Sequence, residues 1–368
     1  MKVGHTYLFL EGSTPIEYTR DELCELFETH KETHFVYDTH REMELTDNLR
    51  EWVYYINNSL TKSNSKLTCL IAGDRVQNYY GRTKVAPIQQ FDRINIIQNH
   101  NHFIRLAVER YEGHFRELYE TNHKELQQDF DYFLHYLNNK PHQHRCELMN
   151  EVQGTDLLDN SFYTWSKLTS TSDEWNSKDF PWTNWKEKIV HDKDEIALDC
   201  GHVDFTDEYN LNEKHKAAVH LISESTLDCF FLTEKTVKPL ILGNLFLVGG
   251  AVNFHNKLKN LGFELYDEIF DYSFDTLTDY KERIKGIITN LETIKDKDYN
   301  ELYKICEKKI KHNQKRCWEL AYGFEENKEI ISLVKNNQSA FKKLVNTDEY
   351  SMFLKELAIK YFENLSII

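Results

Sequence analysis

The stretch from Ala217 to Gly250 constrains the fold of this chain more than any other, because it predicts a strand, a loop, a helix and a strand in succession. An apolar run that ends with His220 to Ser223 has the composition of a buried parallel strand, and Leu245 to Val248 has the composition of the next one. Two buried strands joined by a helix are typical of α/β proteins with a parallel sheet.

Polar residues follow the first of these strands and begin the helix. Glu224 and Ser225 lie at the predicted carboxyl end of the strand, which is the edge where open α/β sheets bind ligands. Thr233 has the side chain of an N-cap, and Gly243 is a typical helix stop. Pro239 lies inside this predicted helix, so we expect either a kink there or a later helical start.

The beginning of this helix has the chemistry of a nucleotide site. Its unpaired backbone N–H groups can bind an anion, and Lys235 and Lys238 would add positive charge. Glu234 would repel a phosphate, but its carboxylate can accept hydrogen bonds from the hydroxyl groups of a sugar. These residues predict a nucleotide that carries ribose and diphosphate, although the same pattern also fits an ordinary strand followed by a well-capped helix.

The segment from Glu224 to Lys235 resembles the donor-binding signature of the family-10 fucosyltransferases. In that signature a Glu-Asn-Ser segment is followed, at the same separation, by Asp-Tyr-Ile/Val-Thr-Glu-Lys. Both glutamates, the threonine and the lysine coincide in this chain. The resemblance implies that Glu234 binds the ribose hydroxyls of a nucleotide-sugar and that Lys235 binds its diphosphate.

Three positions depart from the signature. Ser225, Phe230 and Phe231 stand where the family usually has Asn, Asp and Tyr, so several polar contacts around the nucleotide differ.

Glu224 can have either of two roles, which are contact with the sugar and ordering of the loop. A GDP-sugar or a UDP-sugar is the expected donor. The residues predicted to bind it in this stretch are Glu224, Ser225, Phe231, Thr233, Glu234, Lys235 and Lys238.

Arg145 carries a second resemblance to the same family, in which an arginine opens a helix and grips the diphosphate of the donor. A guanidinium suits that role because it can hold phosphate oxygens at two places. Arg145 follows the chain break at Lys140-Pro141 and lies at the beginning of a predicted helix. The resemblance implies that Arg145 binds the diphosphate, and the alternative is a salt bridge at the protein surface.

The N-terminal part alternates strands and helices, which favours another parallel sheet. The predicted elements are a strand at Tyr7–Glu11, a helix at Arg20–Thr29, a strand at His34–Tyr37, a helix at Leu45–Leu60 and a strand at Lys66–Ala72. A long helical pattern covers Asn101–Asn139 and ends before Lys140-Pro141. Beyond Gly250 we expect a short strand at Phe263–Tyr266 and helices over most of the remaining chain.

Asp74 is the candidate catalytic base. It follows Gly73 at the end of the third predicted strand, where a carboxylate is well placed to face a cleft. The family has a Gly-Glu at the end of a comparable strand, with that Glu as general base, and the pair Phe91-Asp92 resembles a Phe-Asp pair that follows it there. The resemblance implies that Asp74 is the base, and the alternative is an aspartate that forms a turn.

A chain of 368 residues can form two domains, each with its own core. The resemblance implies the GT-B fold, an α/β architecture in which two Rossmann-type domains face each other across a cleft. We expect an acceptor-side domain at 1–140 and a nucleotide-sugar-binding domain at 141–325. Closing C-terminal helices at 326–368 are expected to return toward the first domain.

Composition narrows the classes of function. A net charge of −15 argues against a protein whose main task is to coat nucleic acid. Seven cysteines, with no C-x-x-C pair, indicate a reducing, cytoplasmic location. No apolar run approaches the ~20 residues of a membrane span. The histidines form no HExxH motif, and the Asp-x-Asp pairs do not stand at strand ends among other ligands, so no metal site is expected.

These features together predict a glycosyltransferase that moves a sugar from a nucleoside-diphosphate sugar to a hydroxyl of a saccharide acceptor. By the resemblance the reaction inverts the anomeric centre. The helix start, Lys235 and Arg145 can stabilise the departing diphosphate, so neither a metal nor another cofactor is expected. One alternative is a transferase that glycosylates hydroxymethylated bases in DNA. Another is a non-catalytic protein that binds nucleotide-sugars or glycans.

Overall fold

The computed structural model describes residues 7–9, 20–30, 32–39, 47–71, 92–98, 104, 107–108, 130–138, 143–165, 217–323, 327–336, 338, 341–342, 358–359 and 361–362. The chain divides into two units. The first comprises Met1–Arg105, Asp228–Leu232 and Trp318–Ile368, and the second comprises Leu106–Leu227 and Thr233–Cys317.

The helices and strands of the described residues alternate along most of the chain, as an α/β protein requires. In chain order they are β1 (Tyr7–Phe9), α1 (Arg20–Thr29), β2 (His34–Thr39), α2 (Asp47–Ser63), β3 (Lys66–Ile71), β4 (Ile94–Gln98), β5 (Tyr132–Asn138), α3 (Gln143–Gln153), β6 (Ser161–Trp165), β7 (Ala217–Ser223), α4 (Glu234–Leu242), β8 (Leu245–Gly249), α5 (Phe254–Asn260), a 3₁₀ helix (Tyr272–Thr276), α6 (Tyr280–Ile294), α7 (Tyr299–Tyr322) and α8 (Lys328–Asn336). Among the helices of these residues, none combines the length and the apolar character that crossing a membrane requires.

The first unit contains a four-stranded sheet in the order β1-β2-β3-β4. Strands β2, β3 and β4 pair in parallel, whereas β1 pairs with β2 in the antiparallel sense. The predicted α/β character of this part is therefore confirmed. Its C-terminal helix α8 places Ile330, Leu333 and Val334 in one apolar cluster with Leu70 of β3 and Ile97 of β4. Helix α8 thus packs against the first sheet.

The second unit contains a four-stranded sheet in the order β6-β5-β7-β8, and all of its strands are parallel. Every residue of β7 is buried, as the apolar run predicted. Strand β5 stands where a helix over Asn101–Asn139 was predicted, so that prediction is wrong for Tyr132–Asn138. It pairs with both β6 and β7, and His135 stands opposite His220 in the register. Strand β5 therefore belongs to the sheet of the second unit.

Helix α4 confirms the predicted caps. The Thr233 hydroxyl accepts a hydrogen bond from the Lys235 N–H, and Gly243 ends the helix with φ of 76°, a left-handed conformation that favours glycine. The helix begins at Glu234 and includes Pro239, so the alternative of a later start is wrong. A proline this far inside a helix has no backbone N–H group, so one hydrogen bond of the helix is lost.

The predicted strand at Phe263–Tyr266 is also wrong, because this segment forms neither helix nor strand and has no partner strand among the described residues. The side-chain amide of Asn313, on α7, takes the place of that partner. Its Oδ1 accepts a hydrogen bond from the Glu264 N–H at 2.7 Å, and its Nδ2 donates to the Glu264 carbonyl at 2.9 Å. One buried amide thus satisfies the backbone that a strand neighbour would satisfy.

A buried pair, His255 and Asp275, fastens α5 to β8 and to the 3₁₀ helix. The His255 Nε2 atom accepts a hydrogen bond from the Val248 N–H at 3.2 Å, so Nδ1 carries the proton and donates to the Asp275 carboxylate at 2.8 Å. The same carboxylate accepts the N–H groups of His255 and Asn256, each at 3.1 Å. Three bonds to one carboxylate therefore hold the beginning of α5.

We expect the substitution Asp275→Ala to lower the free energy of unfolding by about 3 kcal/mol, because it leaves buried donors without an acceptor. The matched control is Asp271→Ala. Asp271 caps the 3₁₀ helix through the Ser273 N–H, but it is exposed, so its loss should cost only about 1 kcal/mol. Urea unfolding of both variants measures the difference. Equal losses would show that burial of the Asp275 carboxylate is unimportant.

The same residue predicts a dependence on pH. Burial acts to raise the pKa of Asp275, but its hydrogen bonds with the His255 side chain and with the N–H groups of α5 outweigh burial, and the pKa is lowered. A carboxyl group with a lowered pKa stabilises the fold above its unfolded pKa of about 3.9, and this stabilisation is lost as the pH falls below that value. We therefore expect the stability difference between the wild type and Asp275→Asn to shrink below about pH 4. Urea unfolding between neutral and acidic pH tests this, and a constant difference would contradict it.

Candidate functional site

The topology of the second sheet locates a candidate site. From β5 the chain continues through α3 to β6 on one side, whereas from β7 it continues through α4 to β8 on the other side. The crevice at the carboxyl ends of β5 and β7 is therefore a topological switch point, where open α/β sheets bind ligands. Asn138 ends β5, and Ser223 followed by Glu224 ends β7.

The Glu224 carboxylate organises this edge, and its residue is only 1% exposed. One oxygen, Oε1, accepts hydrogen bonds from the Thr233 N–H at 3.3 Å and from the Thr236 hydroxyl at 2.6 Å. The other, Oε2, accepts from the Ser225 N–H at 3.1 Å and from the Thr233 hydroxyl at 2.6 Å. Of the two roles that the sequence left open, this geometry supports ordering of the loop, because four internal donors already engage the carboxylate.

The backbone carbonyl of Glu224 holds the beginning of α3. It accepts a hydrogen bond from Arg145 Nη2 at 3.4 Å and lies 2.8 Å from His144 Nε2. Arg145 is only 4% exposed, so the alternative of a salt bridge at the surface is wrong. Burial lowers the pKa of Arg145, while the charge of Glu224 and the neighbouring tyrosines opposes that shift. A guanidinium stays protonated in proteins, so this residue places a positive charge beside the switch point.

Glu234 and Lys235 form an ion pair in the first turn of α4. Their charged atoms lie 2.5 Å apart, and both side chains are about a quarter exposed, at 26% and 29%. The Lys235 ammonium also donates to the Ser225 hydroxyl at 3.4 Å. Burial acts to raise the pKa of Glu234, but the charges of Lys235 and Lys238 outweigh it, so the pKa is lowered. The Glu234 carboxyl group is therefore ionised at neutral pH.

The beginning of α4 differs in one respect from the expected anion site. The Thr233 N–H donates to the Glu224 carboxylate, and the Lys235 N–H donates to the Thr233 hydroxyl. An internal carboxylate thus occupies a position that an anionic ligand would take at an open helix start. Attraction for a ligand anion at this edge has to come mainly from the side chains of Arg145 and Lys235.

Two tyrosines and an asparagine beside this cluster were missed by the sequence analysis. The Tyr136 hydroxyl, on β5, lies 3.3 Å from the Ser223 hydroxyl. Asn138 and Tyr280 are buried at the same edge of the sheet. The sequence could have pointed to Tyr136 and Asn138 only if β5 had been recognised as a strand, since their position depends on the carboxyl end of that strand.

The remaining predicted residues have separate positions. Asp74 and Phe91 lie outside the described residues, and Asp92 is exposed in a turn before β4. Phe231 is buried and belongs to the first unit, whereas Lys238 is partly exposed on α4 in the second. The second unit therefore brings together Arg145, Glu224, Ser225, Thr233, Glu234 and Lys235.

Comparisons with family models, with curated proteins and with solved structures give no match to this chain.

We expect Glu224→Gln to lower the free energy of unfolding by roughly 2 kcal/mol, because an amide nitrogen would face donors that now bond to a carboxylate oxygen. Glu234→Gln is the control with the same chemical change. Its side chain is partly exposed and makes a single ion pair, so the expected loss is about 0.5 kcal/mol. Urea unfolding compares the two variants. A larger loss of unfolding free energy for Glu234→Gln than for Glu224→Gln would show that Glu224 does not order the loop.

Proposed function

We propose that this protein is a glycosyltransferase that binds a nucleoside-diphosphate sugar at the carboxyl edge of its second sheet. The observation that carries the proposal is the buried Arg145, whose guanidinium is held by the Glu224 carbonyl at the switch point between β5 and β7. A guanidinium can hold phosphate oxygens at two places, so its position at this edge suits the diphosphate of a nucleotide-sugar.

The ion pair at the beginning of α4 supports the same proposal. The Lys235 ammonium has three donors, of which the Glu234 carboxylate and the Ser225 hydroxyl engage two. Its remaining donor is available to the diphosphate. Glu234 is ionised and partly exposed, so it can accept hydrogen bonds from the ribose hydroxyls.

The proposed chemistry follows from these charges. Transfer of the sugar leaves negative charge on the departing nucleoside diphosphate, and Arg145 with Lys235 would stabilise it by fixed positive charge. We propose that this stabilisation makes the reaction independent of a metal and that the anomeric centre is inverted. The acceptor hydroxyl has to lose a proton as it attacks, and Asp74 remains our candidate for that base.

We extend the proposal to a GT-B arrangement and a cytoplasmic location. Each unit has a four-stranded sheet with parallel pairing, as a Rossmann-type domain requires, although β1 is antiparallel. The odd number of cysteines, seven, supports a reducing compartment. A saccharide hydroxyl is the proposed acceptor.

Thermal and urea stability in the presence of nucleotides tests the proposal. We expect one nucleoside diphosphate, from a panel with guanine, uracil, adenine, cytosine and thymine, to stabilise the protein without added metal. A ligand at 100 times its dissociation constant adds about 2.7 kcal/mol to the free energy of unfolding. No stabilisation of a folded sample by any nucleoside diphosphate or nucleotide-sugar would reject the donor site.

Variants at the beginning of α4 make the test specific. We expect Lys235→Ala to weaken nucleoside-diphosphate binding by about tenfold or more, because a charge-assisted hydrogen bond is lost. Glu234→Ala should weaken nucleotide binding but leave pyrophosphate binding unchanged, because its proposed partner is the ribose. Lys308→Ala, at an exposed position of α7, is the control for the loss of one positive charge. Unchanged nucleotide affinity in Glu234→Ala would show that the ribose contact is misassigned.

A further inference from the structure

Two polar side chains at the carboxyl edge of the second sheet are buried without a hydrogen-bond partner in the described part of the chain. Asn138 is 3% exposed, and neither its Oδ1 nor its Nδ2 atom is bonded. Tyr280 is 9% exposed, and its hydroxyl is not bonded. Buried polar groups in native proteins are nearly always hydrogen-bonded, so unbonded groups gathered at one edge require an explanation.

Both side chains lie beside the switch point. Burial raises the pKa of the Tyr136 hydroxyl, and the nearby Asn138 side chain opposes that shift. The two side chains nevertheless do not meet the geometry of a hydrogen bond. The Tyr280 hydroxyl lies over the end of β8, because a Cβ atom added at Gly249 would be 2.9 Å from it. The positive charge of Arg145 acts to lower the pKa of both Tyr136 and Tyr280, although burial raises each pKa more. The unbonded groups therefore surround the same edge as the buried cation.

We propose that Asn138 and Tyr280 are ligand-binding residues that donate hydrogen bonds to a phosphoryl oxyanion at this edge. The Asn138 amide and the Tyr280 hydroxyl each supply a donor, and the Arg145 guanidinium supplies positive charge, so the set suits negatively charged oxygens. The inference rests on the proposed function for its location, and it adds two residues that neither the residue pattern nor the resemblance identified.

The same proposal explains why the free protein tolerates the unbonded groups. A hydroxyl or amide that bonds only to ligand lowers stability in the free state and contributes to affinity in the bound state. Both groups are enclosed in the free protein, so binding requires a local movement. Tyr280 is the first residue of α6, and the first turn of a helix opens at small cost compared with its middle.

Two tyrosine-to-phenylalanine substitutions test the proposal as a matched pair. Tyr280→Phe removes the unbonded hydroxyl. Tyr303→Phe removes a buried hydroxyl that donates to the Ala218 carbonyl at 3.1 Å and accepts from the Leu245 N–H at 3.2 Å. We expect Tyr280→Phe to keep or raise the urea midpoint and to weaken binding of inorganic pyrophosphate about tenfold or more. Tyr303→Phe should lower the urea midpoint and leave pyrophosphate affinity unchanged.

Asn138→Leu is the second variant, since the leucine side chain has the same number and branching of heavy atoms without the polar atoms. We expect it to behave as Tyr280→Phe does, with stability maintained and pyrophosphate affinity reduced. Calorimetric titration with pyrophosphate measures the affinity of each variant. Equal pyrophosphate affinity in the wild type and in both variants would overturn the proposal, and so would a wild type that does not bind pyrophosphate.

The outcomes separate this inference from the proposed function. Nucleoside-diphosphate binding that depends on Lys235 but not on Tyr280 or Asn138 would keep the proposed function and reject the two new residues. Pyrophosphate binding that depends on Tyr280 and Asn138, without stabilisation by any nucleotide, would keep the oxyanion site and reject the nucleotide-sugar donor. A loss of stability in Tyr280→Phe equal to that in Tyr303→Phe would show that the Tyr280 hydroxyl is bonded in the free protein and would overturn the inference.

Discussion

The hydrogen bonds of Glu224 are the interaction on which the described site depends. Its carboxylate accepts from the loop and from the beginning of α4, while its backbone carbonyl accepts from Arg145 on α3. An ionised carboxylate is tolerated in the interior only when donors surround it. Because these donors come from separate turns of the chain, satisfying one buried residue also fixes the loop, the helix start and the cation relative to β7.

This arrangement changes how the site can attract a ligand. In an open helix start, backbone N–H groups and the helix dipole would bind an anion. Here the Glu224 carboxylate and the Thr233 hydroxyl already accept hydrogen bonds from two of the N–H groups. The attraction of an anion therefore depends mainly on the positive charges of Arg145 and Lys235. Charged side chains discriminate less by shape than a ring of N–H groups does, but they can stabilise charge that develops on a leaving group at some distance from the helix.

Local physics explains which parts of the fold the sequence could predict. The apolar run of β7, the Thr233 cap and the Gly243 stop depend on neighbours within one turn, and all three were predicted correctly. Strand β5 was missed because its aromatic residues fit a helical period, and its pairing with β7 decides its conformation across a long sequence separation. The segment around Glu264 was mistaken for a strand because its partner is the Asn313 side chain, which no local pattern reveals.

Short sequence segments also determined which residues of the candidate site could be predicted. Arg145, Glu234 and Lys235 were predicted from such segments, and the structure places all three beside one sheet edge. Asn138 and Tyr280 could not be identified, because what distinguishes them is the absence of a bond and not the presence of a motif. Tyr303 is the same residue type, is also buried, and has its hydroxyl bonded to two backbone groups. A tyrosine that contributes to stability and one that is held ready for a ligand are therefore alike in sequence, and only their hydrogen-bond partners distinguish them.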